Sequence, residues 1–177
     1  MGFDIALSGD AQVMAVGALY GSSNGVVNTG FVRLYSKDGT DWNMFEQING
    51  TTGQSGYFGW SLDLSFDGSV LAVSAWQRAV YMYALSNITS VYELLHTTGD
   101  INAYEVSVSG DGSAVGVTSS SGAKIFVRSG DEFKQQGPTF AGYGGIWSGI
   151  ALNYQGTIAA IGDRSWSSTS GRVGAFQ

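Results

Sequence analysis

The sequence predicts an all-β chain in which one antiparallel unit is repeated four times, and three observations carry the prediction. First, a turn motif recurs at Ser8-Gly9-Asp10, Ser65-Phe66-Asp67-Gly68, Ser109-Gly110-Asp111-Gly112 and Asn153-Tyr154-Gln155-Gly156. Counted from Asp10, the marker returns after 57, 44 and 44 residues, at Asp67, Asp111 and Gln155. Second, each turn is flanked by short runs with the alternating or continuous apolar pattern of strands, and no helical periodicity of useful length is present. Third, 27 Gly, one Pro and 13% aromatic residues in 177 read as many tight turns between strands, because disordered chains are poor in aromatics. Four antiparallel strands in a repeat of 44 residues is the signature of a β-propeller blade. The expected architecture is therefore a β-propeller-like array of four repeats with about fifteen antiparallel strands. A solenoid or a two-sheet sandwich is the competing arrangement.

The second unit shows the pattern most clearly. Leu62 and Leu64 alternate with Ser61, Asp63 and Ser65, the pattern of a half-buried strand A. Phe66-Asp67-Gly68-Ser69 turns the chain, since Asp and Gly tolerate positive φ at low cost. Val70 to Val73 is a continuous apolar run, expected of a strand B covered on both faces. Val80 to Tyr83 is β-branched and aromatic, a strand C. The other units align with it. Strand A is expected at Phe3 to Ser8, Trp60 to Ser65, Tyr104 to Ser109 and Ser148 to Asn153. Strand B follows at Val13 to Ala18, Val70 to Ala75, Ala114 to Ser119 and Ile158 to Asp163. Strand C is expected at Phe31 to Tyr35, Ala79 to Tyr83, Ala123 to Val127 and Arg172 to Phe176. The more polar strand D is read at Trp42 to Ile48, Val91 to Thr97 and Glu132 to Gln136. The blades thus cover about residues 1–48, 58–97, 103–137 and 146–177 of a single repeat domain, 1–177, and the last lacks its outer strand. The longer first interval is explained by a polar, Gly-rich insertion from Leu19 to Thr29. Both ends look uncapped, as in a piece of a larger propeller, and an unpaired edge strand is a template for association. The chain is expected not to act as an isolated monomer.

Charge and composition narrow the function classes. The net charge is −6 with no basic run, which argues against nucleic acid and anionic membrane surfaces. No apolar run approaches a membrane-spanning length. There is no cysteine, so disulfides and thiolate metal sites are excluded. No leader segment is visible, although a secreted precursor loses one on processing. Two sequons, at Asn49 and Asn87, suit a secreted chain.

Phe58-Gly59 before strand A, with Gly17-Ala18 and Ser74-Ala75 ending strand B, resembles the FG-GAP repeat of integrin-type propellers. A looser form, strand-Ser-x-Asp-Gly-strand-Gly-Ala, then Gly-x-Val-x-x-Tyr, then a Trp strand, fits Gly30 to Tyr35 and Trp42 more closely. The resemblance implies a propeller, and with it adhesion or scaffolding among other protein chains, extracellular or surface-associated. Integrin-type repeats hold calcium in a loop with several carboxylates, as an ion seeking six to eight oxygens requires. Here Asp10, Asp67 and Asp111 stand one to a turn and Gln155 replaces the fourth, so the Asp is read as setting the turn. No metal or other cofactor is expected.

Candidate chemistry is sparse. His96 is the only histidine, and no Gly-x-Ser-x-Gly turn is present for a nucleophile. The carboxylates Asp4, Asp63, Asp100, Glu105 and Asp163 would matter only if the fold brought them together. No enzyme is predicted. Aromatics are the stronger lead. Trp60, Trp76, Trp147, Trp166, Tyr20, Tyr57 and Tyr143 fall at strand ends or in loops, where they either fill gaps between blades or bind. In an antiparallel blade the B–C and D–A connections share one face. Tyr20, Trp76, Arg78, Tyr143, Arg164 and Trp166 are therefore expected to form a partner site there, as loops on a rigid scaffold commonly do. A structural or adhesive module that assembles with itself or other chains is the leading expectation. A carbohydrate-binding, lectin-like module using the same aromatic face is the alternative.

Overall fold

The computed structural model describes residues 2–22, 25–50, 56–99, 101–146, 148–163 and 171–177. Fifteen strands form four antiparallel sheets, with no helix among the described residues. Blade 1 holds β1 (Ile5–Leu7), β2 (Val13–Ala18), β3 (Phe31–Asp38) and β4 (Asp41–Asn49). Blade 2 holds β5 (Phe58–Leu64), β6 (Val70–Ala75), β7 (Val80–Leu85) and β8 (Tyr92–Thr97). Blade 3 holds β9 (Ala103–Val108), β10 (Ala114–Ser119), β11 (Gly122–Ser129) and β12 (Glu132–Phe140). Blade 4 has three strands, β13 (Ser148–Leu152), β14 (Ala159–Asp163) and β15 (Arg172–Phe176). Each strand pairs with its neighbour in sequence.

The A–B turns are built by their own side chains. The Ser65 hydroxyl donates to Asp67 Oδ1 (2.8 Å) and accepts from the Val70 N–H (2.9 Å), while Asp67 Oδ1 also accepts from the Ser69 N–H. Ser8 with Asp10, and Ser109 with Asp111, repeat the arrangement. Asn153 and Gln155 reproduce it with amides, Asn153 Oδ1 accepting from the Ile158 N–H at 2.8 Å. Each turn thereby satisfies the donors that a tight reversal leaves unpaired.

Blades pack in chain order, β1 and β2 on β5, β5 and β6 on β9, β9 and β10 on β13. Leu62, Leu64, Leu71 and Val73 of blade 2 meet Ala6 and Ala15 of blade 1 in one core, and Val106, Val108, Val115 and Val117 meet Ala72 in the second. β6 and β10, covered from both sides, are buried at every residue.

Two expectations need correcting. Ser61 and Ser65 were read as the wet side of a half-buried strand, yet they are 3% and 0% exposed. Ser61 lies between blades and serves the neighbouring backbone, as shown below, while Ser65 is locked into its turn. The sequence pattern also led to the expectation that every blade would bury both faces. The end blades bury only one. Ile5 and Leu7 of β1 are 58% and 52% exposed, where the equivalent Leu62 and Leu64 are 6% and 5%. In blade 4, Ile150 and Leu152 lie against blade 3, while Gly149, Ala151 and Ala160 are exposed.

Candidate functional site

Strand A is the inner edge of each blade, and its outward N–H groups need partners that its own sheet does not supply. Side chains of the preceding blade supply them. Asp4 Oδ2 accepts from the Leu62 N–H (2.7 Å), the Ser61 hydroxyl from Val106 (3.3 Å), Asp63 Oδ2 from Val108 (2.7 Å) and the Ser107 hydroxyl from Leu152 (3.1 Å). The second oxygens of Asp4 and Asp63 accept from the N–H groups of Ile5 and Leu64 in their own strands. This requirement draws Asp4, Asp63 and Glu105 to the inner strands of successive blades. Glu105 Oε2 accepts from the Ser61 hydroxyl at 3.1 Å. Burial pushes the Glu105 carboxyl above the usual range, the Ser61 bond opposes it and the Asp4 charge adds to it. Burial likewise raises Asp63 against the bonds it accepts, with Asp4 contributing again.

Above these carboxylates, on the face of the B–C and D–A connections, aromatic side chains run in an unbroken chain. The insertion after β2 is tied to the connection before β5: the Tyr57 N–H donates to Asn28 C=O, the Phe58 N–H to Thr29 C=O, and Gly30 pairs with Phe58 as a parallel bridge. This docking sets Tyr20 edge-on to Tyr57 (5.8 Å) and Tyr57 edge-on to Trp76 (5.6 Å). Trp76 stacks on Trp60 at 5.2 Å and 17°, and Trp60 meets Phe3 at 4.8 Å. Tyr57 (φ 44°) and Gln77 (φ 55°) hold left-handed backbone, a conformation that costs a non-glycine residue energy and gathers at binding sites. The Trp76 Nε1–H is buried and has no hydrogen-bond partner among the described residues.

The chain ends at a cleft of about 360 Å³ lined by Phe3, Asp4, Trp60, Glu105 and Ile146. A second cleft of about 360 Å³ lies on the other side of Phe3, between Gly2, the Ala18–Gly21 segment and Phe31. Two ring faces beside two carboxylates suit a cation, through the ring quadrupole and direct charge pairing, or a hydroxyl-rich ring that stacks and donates.

Of the residues expected at a partner site, Tyr20 and Trp76 come together through Tyr57. Arg78 follows Trp76 in the B–C turn, and its carbonyl accepts from the N–H groups of Ile101 and Ala103. Tyr143 stands apart, edge-on to Phe176 at 5.4 Å. Arg164 and Trp166 lie outside the described residues, as do Trp147 and Asp100. Asn49 and Asn87 are exposed. His96 lies beside the Phe126 ring (5.6 Å), and burial lowers its pKa against the pull of Glu132. Phe3 and Ile146 were not singled out from sequence. Asp4 and Glu105 were noted only as scattered acids, although polar residues recur two and four places before the turn serine at Asp4, Ser61, Asp63, Glu105 and Ser107.

The sheets and their packing define a β-propeller. No family model matches the chain, and no curated protein matches it. Among solved structures it is similar to the Cps50 (Swd1) β-propeller domain of Myceliophteria thermophila, with a TM-score of 0.58 and 14% identity over 89% of this chain and 46% of that one. It is also similar to the periplasmic gluconolactonase PpgL of Pseudomonas aeruginosa, with a TM-score of 0.63 and 15% identity over 98% of this chain and 56% of that one. The chain therefore spans about half the length of each. Likeness at this identity is a likeness of fold.

Proposed function

We propose that this chain is a non-enzymatic interaction module, an FG-GAP-like propeller that binds other protein chains through its loop face at a cell, matrix or particle surface. The observation that carries the reading is the ring chain from Tyr20 to Phe3 ending at the Asp4 and Glu105 carboxylates. Aromatic anchors dominate protein interfaces, and a cleft with two acids selects a segment carrying Lys or Arg. Support for a non-catalytic role comes from the carboxylates themselves, since Asp4 and Asp63 each commit both oxygens to backbone N–H groups. The exposed sequon residues Asn49 and Asn87 support the surface placement.

A lectin-like module is the second reading, favoured by the same juxtaposition of ring faces and carboxylates. One experiment separates the two: the purified chain is applied to a peptide array graded in basic and aromatic content and, in parallel, to a glycan array. Retention on basic peptides that falls at least about tenfold in Trp60→Ala and in Glu105→Gln is the expected result. Silence on peptides with binding to glycans gives the lectin reading, and silence on both sinks the loop-face site.

A further inference from the structure

We propose that the face of the A–B turns, opposite the aromatic loop face, carries a second interaction site, in which the Phe66 and Tyr154 rings and the turn carboxylates Asp10, Asp67 and Asp111 receive an arginine-bearing segment of a partner protein. The site is separate from the loop face and takes nothing from the outer faces of blades 1 and 4. After the turn serine or asparagine the blades carry Gly9, Phe66, Gly110 and Tyr154 in order, an alternation of glycine and ring. A side chain on Gly9 would overlap the Phe66 ring, and one on Gly110 the Tyr154 ring, so each ring sits in space that the preceding blade leaves empty. The two rings meet edge-on at 5.8 Å. Backbone bonds between blades fix the residues that carry them. The Asp10 N–H donates to Phe66 C=O, the Phe66 N–H to Gly110 C=O, and the Asp111 N–H to Tyr154 C=O.

Rings that only fill space in this fold are buried, as Phe58 and Phe133 are. Phe66 and Tyr154 are seated closely on glycine, yet they remain 47% and 53% exposed. Their open surface is apolar and already confined, so a ligand that covers it orders little that was free. Charge defines that ligand. The hydroxyls of Ser8, Ser65 and Ser109 and the N–H groups of Gln12, Ser69 and Ser113 all bond to Oδ1 of the turn aspartate. Asp10, Asp67 and Asp111 are exposed, with Oδ2 outside these bonds. Phe66 has a carboxylate on either side, since Asp67 follows it in the chain and Asp10 is bonded to its carbonyl. Asp111 stands in the same relation to Tyr154. The C–D connections on this face add Asp38, Asp41 and Asp131, against Lys37 and Arg128, and Arg128 Nε donates to Gly130 C=O.

A guanidinium fits this arrangement better than an ammonium does. It is planar, stacks on a ring face, and presents paired N–H donors to carboxylates beside that ring. An ammonium is a strongly hydrated point charge and gains less from an apolar surface. A neutral sugar uses the rings without the charge, and an acidic segment is repelled. Gly9 and Gly110 are positioning residues, because they seat the rings and touch no ligand.

The test follows the amide shifts of the 177-residue chain by nuclear magnetic resonance as a blocked Gly-Arg-Gly-Arg peptide is added at about 0.15 M salt. The lysine and citrulline counterparts of the peptide are titrated in parallel. The amides of Asp10, Phe66, Asp67 and Asp111 are expected to move, with the arginine peptide bound at least about fivefold tighter than either counterpart. Phe66→Leu removes the ring and Gly9→Ala removes its seat without touching a charge, and each weakens binding at least about fivefold. Phe66→Tyr, which places at this turn the ring found at Tyr154, binds as the wild type does. Dispersed spectra of the variants show that they fold, and two routes to the same loss keep the test from resting on one of them. Equal response to arginine and lysine that survives Phe66→Leu is diffuse attraction to an acidic chain and overturns the site. Shifts confined to Tyr20, Tyr57, Trp76 and their neighbours place basic partners on the loop face alone and overturn it too. Silence toward all three peptides, or citrulline bound as well as arginine, does the same.

Discussion

Asp67, in the A–B turn of blade 2, and Glu105, between blades 2 and 3, are carboxylates shifted in opposite directions. Burial alone would raise Asp67, but the N–H and hydroxyl of Ser69 and the hydroxyl of Ser65 outweigh it and hold the group below the usual range. Asp111 behaves likewise with Ser113 and Ser109. Such a group adds stability above its unfolded pKa, about 4, and that stability is lost as pH falls through the folded value. Glu105 and Asp63 are raised instead, so the folded chain takes up their protons before the unfolded one. Their penalty is present at neutral pH and relieved as pH falls through their folded values. Glu105→Gln is therefore expected to be more stable than wild type at pH 7, with the difference closing toward pH 4. Urea midpoints measured across that range check the sign, and a difference that widens on acidification contradicts it. The same residues mark the limit of what could be read from sequence. The Ser–Asp turn is local and its side-chain bonds span five residues, so it was legible. Asp4, Ser61 and Glu105 meet across separations of more than forty residues, and an alternating strand looks the same whether water or another blade covers its polar side.

At the scale of the element, strand B was legible to the residue in three blades, Val13–Ala18, Val70–Ala75 and Ala114–Ser119, because a continuous β-branched run bounded by a Ser/Asp turn has one reading. In blades 1 and 3, strands C and D were read short. β3 runs on through Ser36 and Lys37 to Asp38, and β12 runs on to Phe140, whose ring meets Phe176 at 4.4 Å. Glycine at one strand position separates covered from bare blades. Gly17→Ala forces its methyl into the Gly59 carbonyl of the next blade and is expected to cost about 1–3 kcal/mol. Gly162→Ala, the same position in blade 4, opens onto free space and is expected to change stability by less than about 0.5 kcal/mol. Equilibrium unfolding of the two variants side by side measures both, and equal losses would refute the idea that blade 4 has a bare face.

Across the whole molecule, stability is graded from the middle outward. Blades 2 and 3 are sandwiched, and each end blade has one face packed and one exposed. Cooperative units with fewer buried contacts open first. The amides of β6 and β10 are expected to exchange slowest with solvent deuterium, and those of β14 and β15 well before them. Uniform protection over all four blades would show that the bare faces cost the chain nothing.

The Phe66 ring fills the space of a Gly9 side chain and the Tyr154 ring that of Gly110, and this alternation of glycine and ring beneath the turns has a consequence for anyone who would rebuild this array. Propeller blades are commonly treated as interchangeable modules, to be added or removed singly. Here the interchangeable module is a pair. Inserting one blade between Gly110 and Tyr154 would set two rings or two glycines side by side, crowding the rim in one case and leaving a hole in the other. A graft that carries a glycine blade together with its aromatic neighbour keeps every ring over a glycine, so the chain can be lengthened by twos.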